Sequence, residues 1–341
     1  MDIGVFDHLD LGAQAVERYY RERLEIVAAY ERAGFRSYHV AEHHLTPLGM
    51  AASPSVFLAA VAQRTQRLRF GPMVYVSPLY PRLRLLEEIG MLDQMSGGRL
   101  ELAFGRGALA AELRFFGVDP AQADRANQET IDFVLAALRE GAVSVDEEGG
   151  RTRRLPLAIP ALQKPHPPLW YGVHSPQSAE RAARAGMNIM TLDWAAQMRA
   201  CTDRFRAAWK EARPAEPLPR IGLARFVYVD SNAASARAVA ARAYKRWHAS
   251  FNYLSSLMGV KHLRPRPERF EEIVEDGRAF AGTPESAAEF VERQTEEAGA
   301  NTFVGQFAFG DLTLEETLRS VELFASEVMP MLKPSSSPCV S

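Results

Sequence analysis

A single (β/α)8 barrel of the α/β class, carrying loop insertions, is the fold this sequence predicts, from three observations. Eight short apolar runs recur along the chain, segments of helical period separate them, and the runs are apolar throughout instead of alternating. Strands buried on both faces by helices read in this way. The length of 341 residues is ample for one barrel with long loops.

The strands are expected at 3–6, 37–41, 68–73, 100–104, 169–172, 188–192, 221–229 and 302–307. Between the first two, residues 15–33 carry apolar side chains at helical spacing and stop at Gly34, a left-handed cap. Ser53 followed by Pro54 reads as the N-cap and first position of a helix over 53–67. A third helix, 82–95, stops before Ser96-Gly97-Gly98. An open doubly wound sheet would share this alternation, but eight consecutive crossovers of one hand close more naturally into a barrel.

Two stretches interrupt the rhythm. Residues 141–168 are proline-rich and read as a long loop with room for a hairpin. Residues 244–283 mix Trp247, Phe251 and Tyr253 with a basic, proline-rich patch at 261–269 that holds Arg264, Arg266 and Arg269, and they read as a second excursion. The domain is expected to span 1–332, with a disordered tail over 333–341.

Composition narrows the function. Hydrophobic residues make up 47% and charged residues 24%, with a formal net charge of −2, so no basic field is present for nucleic acid or an acidic membrane. Cys201 and Cys339 are the only cysteines, too few for a disulfide framework or a metal knuckle, and no metal is expected. With no apolar run long enough to span a bilayer and no leader-like start, the expected location is the cytoplasm.

In a barrel of this type the chemistry sits just beyond the C-terminal ends of the strands. Those positions hold Asp7-His8, Glu42-His43-His44, Gly105-Arg106-Gly107, His174-Ser175, Asp193-Trp194 and Gln306. An imidazole titrates near neutral pH, which makes His43 or His44 a candidate for proton transfer, although adjacent residues point apart and one of the two is expected to be structural. Arg106 between glycines offers a planar fork to an anion, and by itself could equally be a surface arginine on a turn. The run from His174 through Ser175 to Ser178 opens a helix whose free amides suit a phosphate, although simple capping by Ser175 accounts for the same residues. At helical spacing, Trp247, Phe251 and Tyr253 read either as core or as the wall of a substrate pocket.

The segment Ala41-Glu42-His43-His44-Leu45-Thr46 resembles the bacterial luciferase-like monooxygenases. So does Leu92-Asp93-Gln94-Met95-Ser96-Gly97-Gly98-Arg99, which runs into Phe104-Gly105-Arg106-Gly107, and the likeness extends over most of the chain. The resemblance implies a TIM barrel that binds reduced FMN (FMNH2) or, in one branch, the deazaflavin F420. It implies His43 in proton transfer, His44 near a subunit interface, and Arg106, His174, Ser175 and Ser178 at the flavin phosphate. It also makes Met73-Val74 a candidate non-prolyl cis peptide beneath the flavin ring. His8, His44, Trp194, Trp247, Phe251 and Tyr253 are then candidates for substrate or lid contacts, with 244–283 in the place of the family's mobile loop. Gly105 stands where the light-emitting enzyme has a cysteine and His174 where it has a glutamate, so light emission is not expected.

The leading expectation is a two-component monooxygenase that uses FMNH2 from a separate NAD(P)H:flavin reductase, together with O2, to oxygenate a small organic substrate. Hydride transfer with F420 is the alternative, and a catalytically idle flavin-binding subunit is a third. Relatives pair through the helices after the second and third strands. A homodimer or higher homo-oligomer is therefore expected, through Phe57, Leu58, Leu85, Leu86, Ile89 and Leu92.

Overall fold

The computed structural model describes residues 1–147, 150–260 and 265–333. Its strands are β1 (Asp2–Asp7), β2 (Ser37–Val40), β3 (Arg69–Pro72), β4 (Tyr75–Val76), β5 (Leu102–Gly105), β6 (Ala142–Asp146), β7 (Thr152–Pro156), β8 (Leu169–Gly172), β9 (Asn188–Thr191), β10 (Ile221–Val229), β11 (Ala279–Gly282) and β12 (Thr302–Gln306). The α-helices are α1 (Val16–Arg32), α2 (Pro54–Arg64), α3 (Arg82–Ser96), α4 (Ala110–Phe115), α5 (Ala123–Glu140), α6 (Pro176–Arg184), α7 (Ala195–Ala212), α8 (Ala233–Leu257), α9 (Phe270–Glu275), α10 (Pro284–Ala298) and α11 (Leu314–Leu323).

Around the wall the strand order is β3-β2-β1-β12-β10-β9-β8-β5-β4, and every pairing in it is parallel. β3 and β4 belong to one passage of the chain, interrupted at Met73-Val74, which is a cis peptide as the resemblance implied. A bridge from Phe70 to Leu100 and the pairing of β4 with β5 bring this passage back against β5, so eight passages form a nearly closed barrel. All eight expected strands are present, and α1, α2 and α3 follow the expected limits closely. Gly34, after α1, has φ 80°, the left-handed conformation that glycine adopts at least cost.

The strands of the barrel wall are largely buried, β10 along its whole length, as helices outside and side chains inside require. Each passage contributes to an apolar cluster in the lumen: Phe6, Ala41, Met73 with Val74, Ala103, Trp170, Met190 with Leu192, Ala224 and Val304. Outside, the largest core cluster joins α1, α2, α3, α5, α10 and α11 to the strands. Each of its fully buried Leu, Val and Phe side chains contributes about 1.5–3 kcal/mol of transfer free energy.

Of the two excursions, one holds and one needs correction. The excursion at 141–168 does hold a hairpin, β6–β7, with antiparallel register Ala142↔Pro156. The stretch 244–283, by contrast, is not a long loop. α8 runs unbroken to Leu257, and α9 and β11 follow, with β11 adding to the later half of β10. Tyr244, Trp247, Phe251 and Leu254 are spaced as one helical stripe, and that period outweighs the loop-like composition. Residues 261–264, with Arg264, and the tail from 334 lie outside the described residues.

The expected dimer contacts also change. Phe57, Leu58, Leu85, Leu86, Ile89 and Leu92 are buried within the chain, where they cover the barrel. The apolar side chains that α2 and α3 leave exposed are Val56, Leu83, Met91 and Met95. Among the described residues no helix is long and apolar enough to cross a membrane.

Candidate active site at the barrel mouth

Parallel strands put all their C-terminal ends on one rim, and contacts between neighbouring strand ends build the site there. β5 pairs directly with β8, so Arg106 and the His174-Ser175 turn leave adjacent strands. At the end of β2, Glu42 is buried and accepts hydrogen bonds from the Val76 amide at 2.7 Å and the Tyr80 hydroxyl at 3.0 Å. That carboxylate therefore ties the second strand end to the third.

The two adjacent histidines diverge. His44 turns inward: its Nε2 lies 3.0 Å from Glu42 Oε1, and its ring meets Phe116 edge-on at 4.6 Å. His43 points to the mouth, with Nδ1 at 3.2 Å from Glu112 Oε1. The same carboxylate oxygen accepts the His44 amide at 2.8 Å, and Glu112 is buried on the short helix α4. A carboxylate only accepts, so His43 donates from Nδ1, and its Nε2 makes no hydrogen bond among the described residues. Sequence reasoning missed Glu112. Its one signal was an acidic residue inside the largely apolar hexapeptide 110–115.

His8, at the end of β1, lies nearly parallel to His43 with ring centroids 6.4 Å apart, and approaches Trp247 at 5.6 Å. Burial first, then the neighbouring His43 and Arg266, push its pKa down to about 3, with Gln306 opposing. His8 is thus a neutral ring at ordinary pH. Its NMR resonances should not titrate between about pH 5 and 8, and a midpoint inside that interval would show that the ring is solvated.

The phosphate candidates share the rim but are otherwise engaged. Arg106 is more than half exposed and pairs with exposed Asp124 at 3.1 Å, a contact of a kind that exchanges readily for a better anion. Ser175 caps α6: its hydroxyl accepts the Ser178 amide at 3.2 Å, and the Ser178 hydroxyl donates to the Ser175 carbonyl at 2.7 Å. The capping reading is therefore realised. His174 Nδ1 lies 2.7 Å from Asp193 Oδ2. Gly105 leaves room for close approach, since a Cβ there would meet Val74 Cγ2 at 2.5 Å.

The aromatic candidates separate. Trp247 is fully buried and stacks on Phe251 at 5.0 Å, whereas Tyr253 is exposed on another face of α8 and makes no ring contact among the described residues. Trp194 is exposed and lies under the Arg278 guanidinium at 4.5 Å. Among the described residues no three His, Cys, Asp or Glu side chains are grouped as metal ligands.

A parallel barrel with an apolar lumen, small side chains from β5 and β10, and titratable groups on the C-terminal rim defines a (β/α)8-barrel enzyme site. Residues 1–302 match the family model for luciferase-like monooxygenases, and the chain belongs to that family. Protein y4wF of Sinorhizobium fredii is 38% identical over 327 residues, covering 96% of each chain. Limonene 1,2-monooxygenase of Rhodococcus erythropolis is 27% identical, covering 90% of this chain and 80% of that one. The oxygenase component of flavin-dependent trigonelline monooxygenase from Acinetobacter baylyi is 26% identical, covering 70% and 68%. Among solved structures, monooxygenase RslO1 from Streptomyces bottropensis superposes with TM-score 0.84 at 24% identity, covering 97% and 99%. The oxygenating constituent of 3,6-diketocamphane monooxygenase from Pseudomonas putida, in complex with FMN, gives 0.77 at 16%, covering 98% and 99%. An F420-dependent secondary alcohol dehydrogenase gives 0.70 at 19%, covering 97% and 99%. These three structural likenesses bear on the fold.

Proposed function

We propose that this chain is the oxygenase of a two-component, FMNH2-dependent monooxygenase, a cytoplasmic homodimer that receives its flavin from a separate NAD(P)H-dependent reductase. The observation that carries the proposal is the His43–Glu112 pair, an oriented imidazole on the same rim as Arg106 and the start of α6. An oxygenase component among the relatives supports the two-component arrangement.

The residues fit such a cofactor. Arg106 can exchange Asp124 for a phosphate, and the first turn of α6 supplies amide dipoles of the right sign. Val74, Ala103 and Ala224 present an apolar floor to a flat ring. Reduced flavin, when bound, supplies the electrons for O2, one oxygen atom going to the substrate and the other to water. Within this scheme His43 Nε2 gives or takes the proton, and the apolar lumen keeps bulk water away. The exposed Val56, Leu83, Met91 and Met95 on α2 and α3 would form the face that pairs with a second copy.

The test is equilibrium binding followed by aerobic turnover. FMN should bind, and Arg106→Ala should weaken it by about 10- to 100-fold, the worth of a hydrogen bond to a charged group. Adding FMNH2 with air and candidate substrates should give a product carrying one oxygen from 18O2. Tight F420 binding with hydride transfer and no 18O in the product would replace this reading with the deazaflavin one.

A further inference from the structure

Asp10, two residues beyond His8 in the loop from β1 to α1, is a fully buried carboxyl that the proposed chemistry does not use. Leu9 before it holds a left-handed φ of 50°, which a residue with a branched side chain keeps only where neighbours fix it. Three hydrogen bonds do so: the Leu9 amide donates to Asp7 Oδ1 at 2.8 Å, the Met50 amide to the Leu9 carbonyl at 3.0 Å, and the Leu11 amide to the Pro47 carbonyl at 2.7 Å. From this fixed loop Asp10 reaches the turn after β12, where its Oδ2 accepts the Gly310 amide. Gly310 bears in turn on α8. It has φ 61°, and a Cβ on it would stand 1.8 Å from the Ala243 carbonyl oxygen, so this turn is pressed against the helix one turn before Trp247. Trp247 faces His8 at 5.6 Å. The contacts close a ring that runs from His8 through Asp10, Gly310 and Ala243 to Trp247 and back.

Asp10 also lines a small cavity with Gln14, Tyr19, Glu22, Arg23 and Thr317. Its free volume, about 10 Å³, is that of a single water-sized sphere, and Asp10 Oδ1, Thr317 Oγ1 and Arg23 Nη1 make no hydrogen bond among the described residues. Three polar atoms around one such space suit a water molecule, which would pass a proton between Asp10 and the half-buried Gln14 and Glu22. The charged neighbours are themselves engaged. Arg23 pairs with Asp7 at 3.4 Å and donates to the Asp10 carbonyl at 3.4 Å and the Tyr19 hydroxyl at 3.0 Å. Glu22 accepts from Arg18 and Gln14. Beyond Gly310, Arg242 pairs with Asp311 and Glu316, and Arg246 donates to the Leu11 and Gly12 carbonyls. Burial pushes the Asp10 carboxyl up to about 7 against the pull of Arg23, with Asp7 adding to the rise and the Gly310 amide opposing it.

We propose that Asp10 is a positioning residue worked by its own proton: ionised, it holds Gly310 and with it the spacing of Trp247 and His8 at the barrel mouth, and protonated, it slackens that hold. A hydrogen bond to a charged acceptor is stronger than one to a neutral acceptor. The ring of contacts is therefore tightest above neutral pH and loosens as pH falls through the folded value. His8 stays neutral throughout this interval, so the change at the mouth comes from the loops and not from the charge of the ring. The device acts on the walls of the mouth and does not depend on which cofactor occupies it.

The test is a pH titration of the full chain, labelled with 15N, followed by NMR. The Gly310 amide proton should move downfield as pH rises, with a midpoint at about 7. The Trp247 indole signal, identified by its loss in Trp247→Phe, should move with the same midpoint. Asp10→Asn keeps an oxygen for the Gly310 amide but cannot ionise, so it should abolish the Gly310 movement and its counterpart at Trp247. Thr317→Val removes a hydroxyl from the cavity that favours the ionised form, and should raise the midpoint. A purely structural Asp10 would give none of these pH-dependent shifts. A Gly310 amide that stays still in wild type, one that still titrates in Asp10→Asn, or a Trp247 titration identical in wild type and Asp10→Asn each overturns the proposal. If Asp10→Asn fails to fold, Thr317→Val decides: a midpoint equal to wild type overturns it.

Discussion

Replacing His43 with alanine is expected to lower product formation by a factor of about 10² to 10⁴ while leaving FMN affinity nearly unchanged, the usual span for losing a positioned acid–base group. The separation follows from the geometry. Nε2 of the imidazole makes no hydrogen bond among the described residues, and the phosphate candidates leave β5 and β8, two and three passages round the rim from β2. Truncation also leaves Glu112 partly satisfied, since it still accepts the His44 amide at 2.8 Å. The loop should therefore survive. Glu112→Gln gives the companion measurement. The amide offers a donor as well as an acceptor, so the imidazole loses its fixed tautomer. Turnover should fall less than in His43→Ala. Wild-type turnover in His43→Ala would remove the residue from the mechanism. Wild-type turnover in Glu112→Gln would reduce Glu112 to a loop support.

The difference between what the sequence predicted and what it did not follows the range of the interactions. Strand and helix limits depend on local period and caps, and so Gly34, Ser53-Pro54 and the buried run 221–229 were legible one window at a time. Placing candidate residues at strand ends needed only the barrel itself. The partner of His43 stands 69 positions away on α4, and that of His44 at Glu42 is close in the chain but depends on which way the loop turns. Neither is encoded by spacing. The stretch from Tyr244 was misread for another reason: prolines and arginines at 264–269 were weighed above the helical stripe that precedes them. The expected pairing surface shows the same limit, since sequence period finds the apolar stripe but not which of its members the barrel has already covered.

Glu101→Leu is expected to destabilise the fold by about 3–5 kcal/mol, the cost of leaving a buried charge partner uncompensated. Glu101 is 1% exposed near the N-terminal ends of the strands, inside the lumen. One oxygen accepts Trp170 Nε1 at 2.7 Å and lies 3.0 Å from His39 Nε2, and the other accepts Arg69 Nε at 2.7 Å. Four strand passages, β2, β3, β5 and β8, thus meet at one carboxylate beneath the site, a cluster that the sequence reading did not find. Burial by itself would raise the Glu101 pKa, but the His39 and Arg69 contacts outweigh it and hold it below the ordinary carboxylate range. A carboxyl depressed in the folded state contributes full stability above the unfolded-chain value, about 4.3, and loses it as pH falls through the folded value. Urea denaturation should therefore show Glu101→Gln less stable than wild type at neutral pH, with the gap narrowing below about pH 4. The double variant Glu101→Leu/Arg69→Leu should cost less than the two single changes summed, because it removes both charges together. Additive losses in that cycle would mean that Glu101 and Arg69 act independently and that the lumen carboxylate is held by His39 and Trp170 alone.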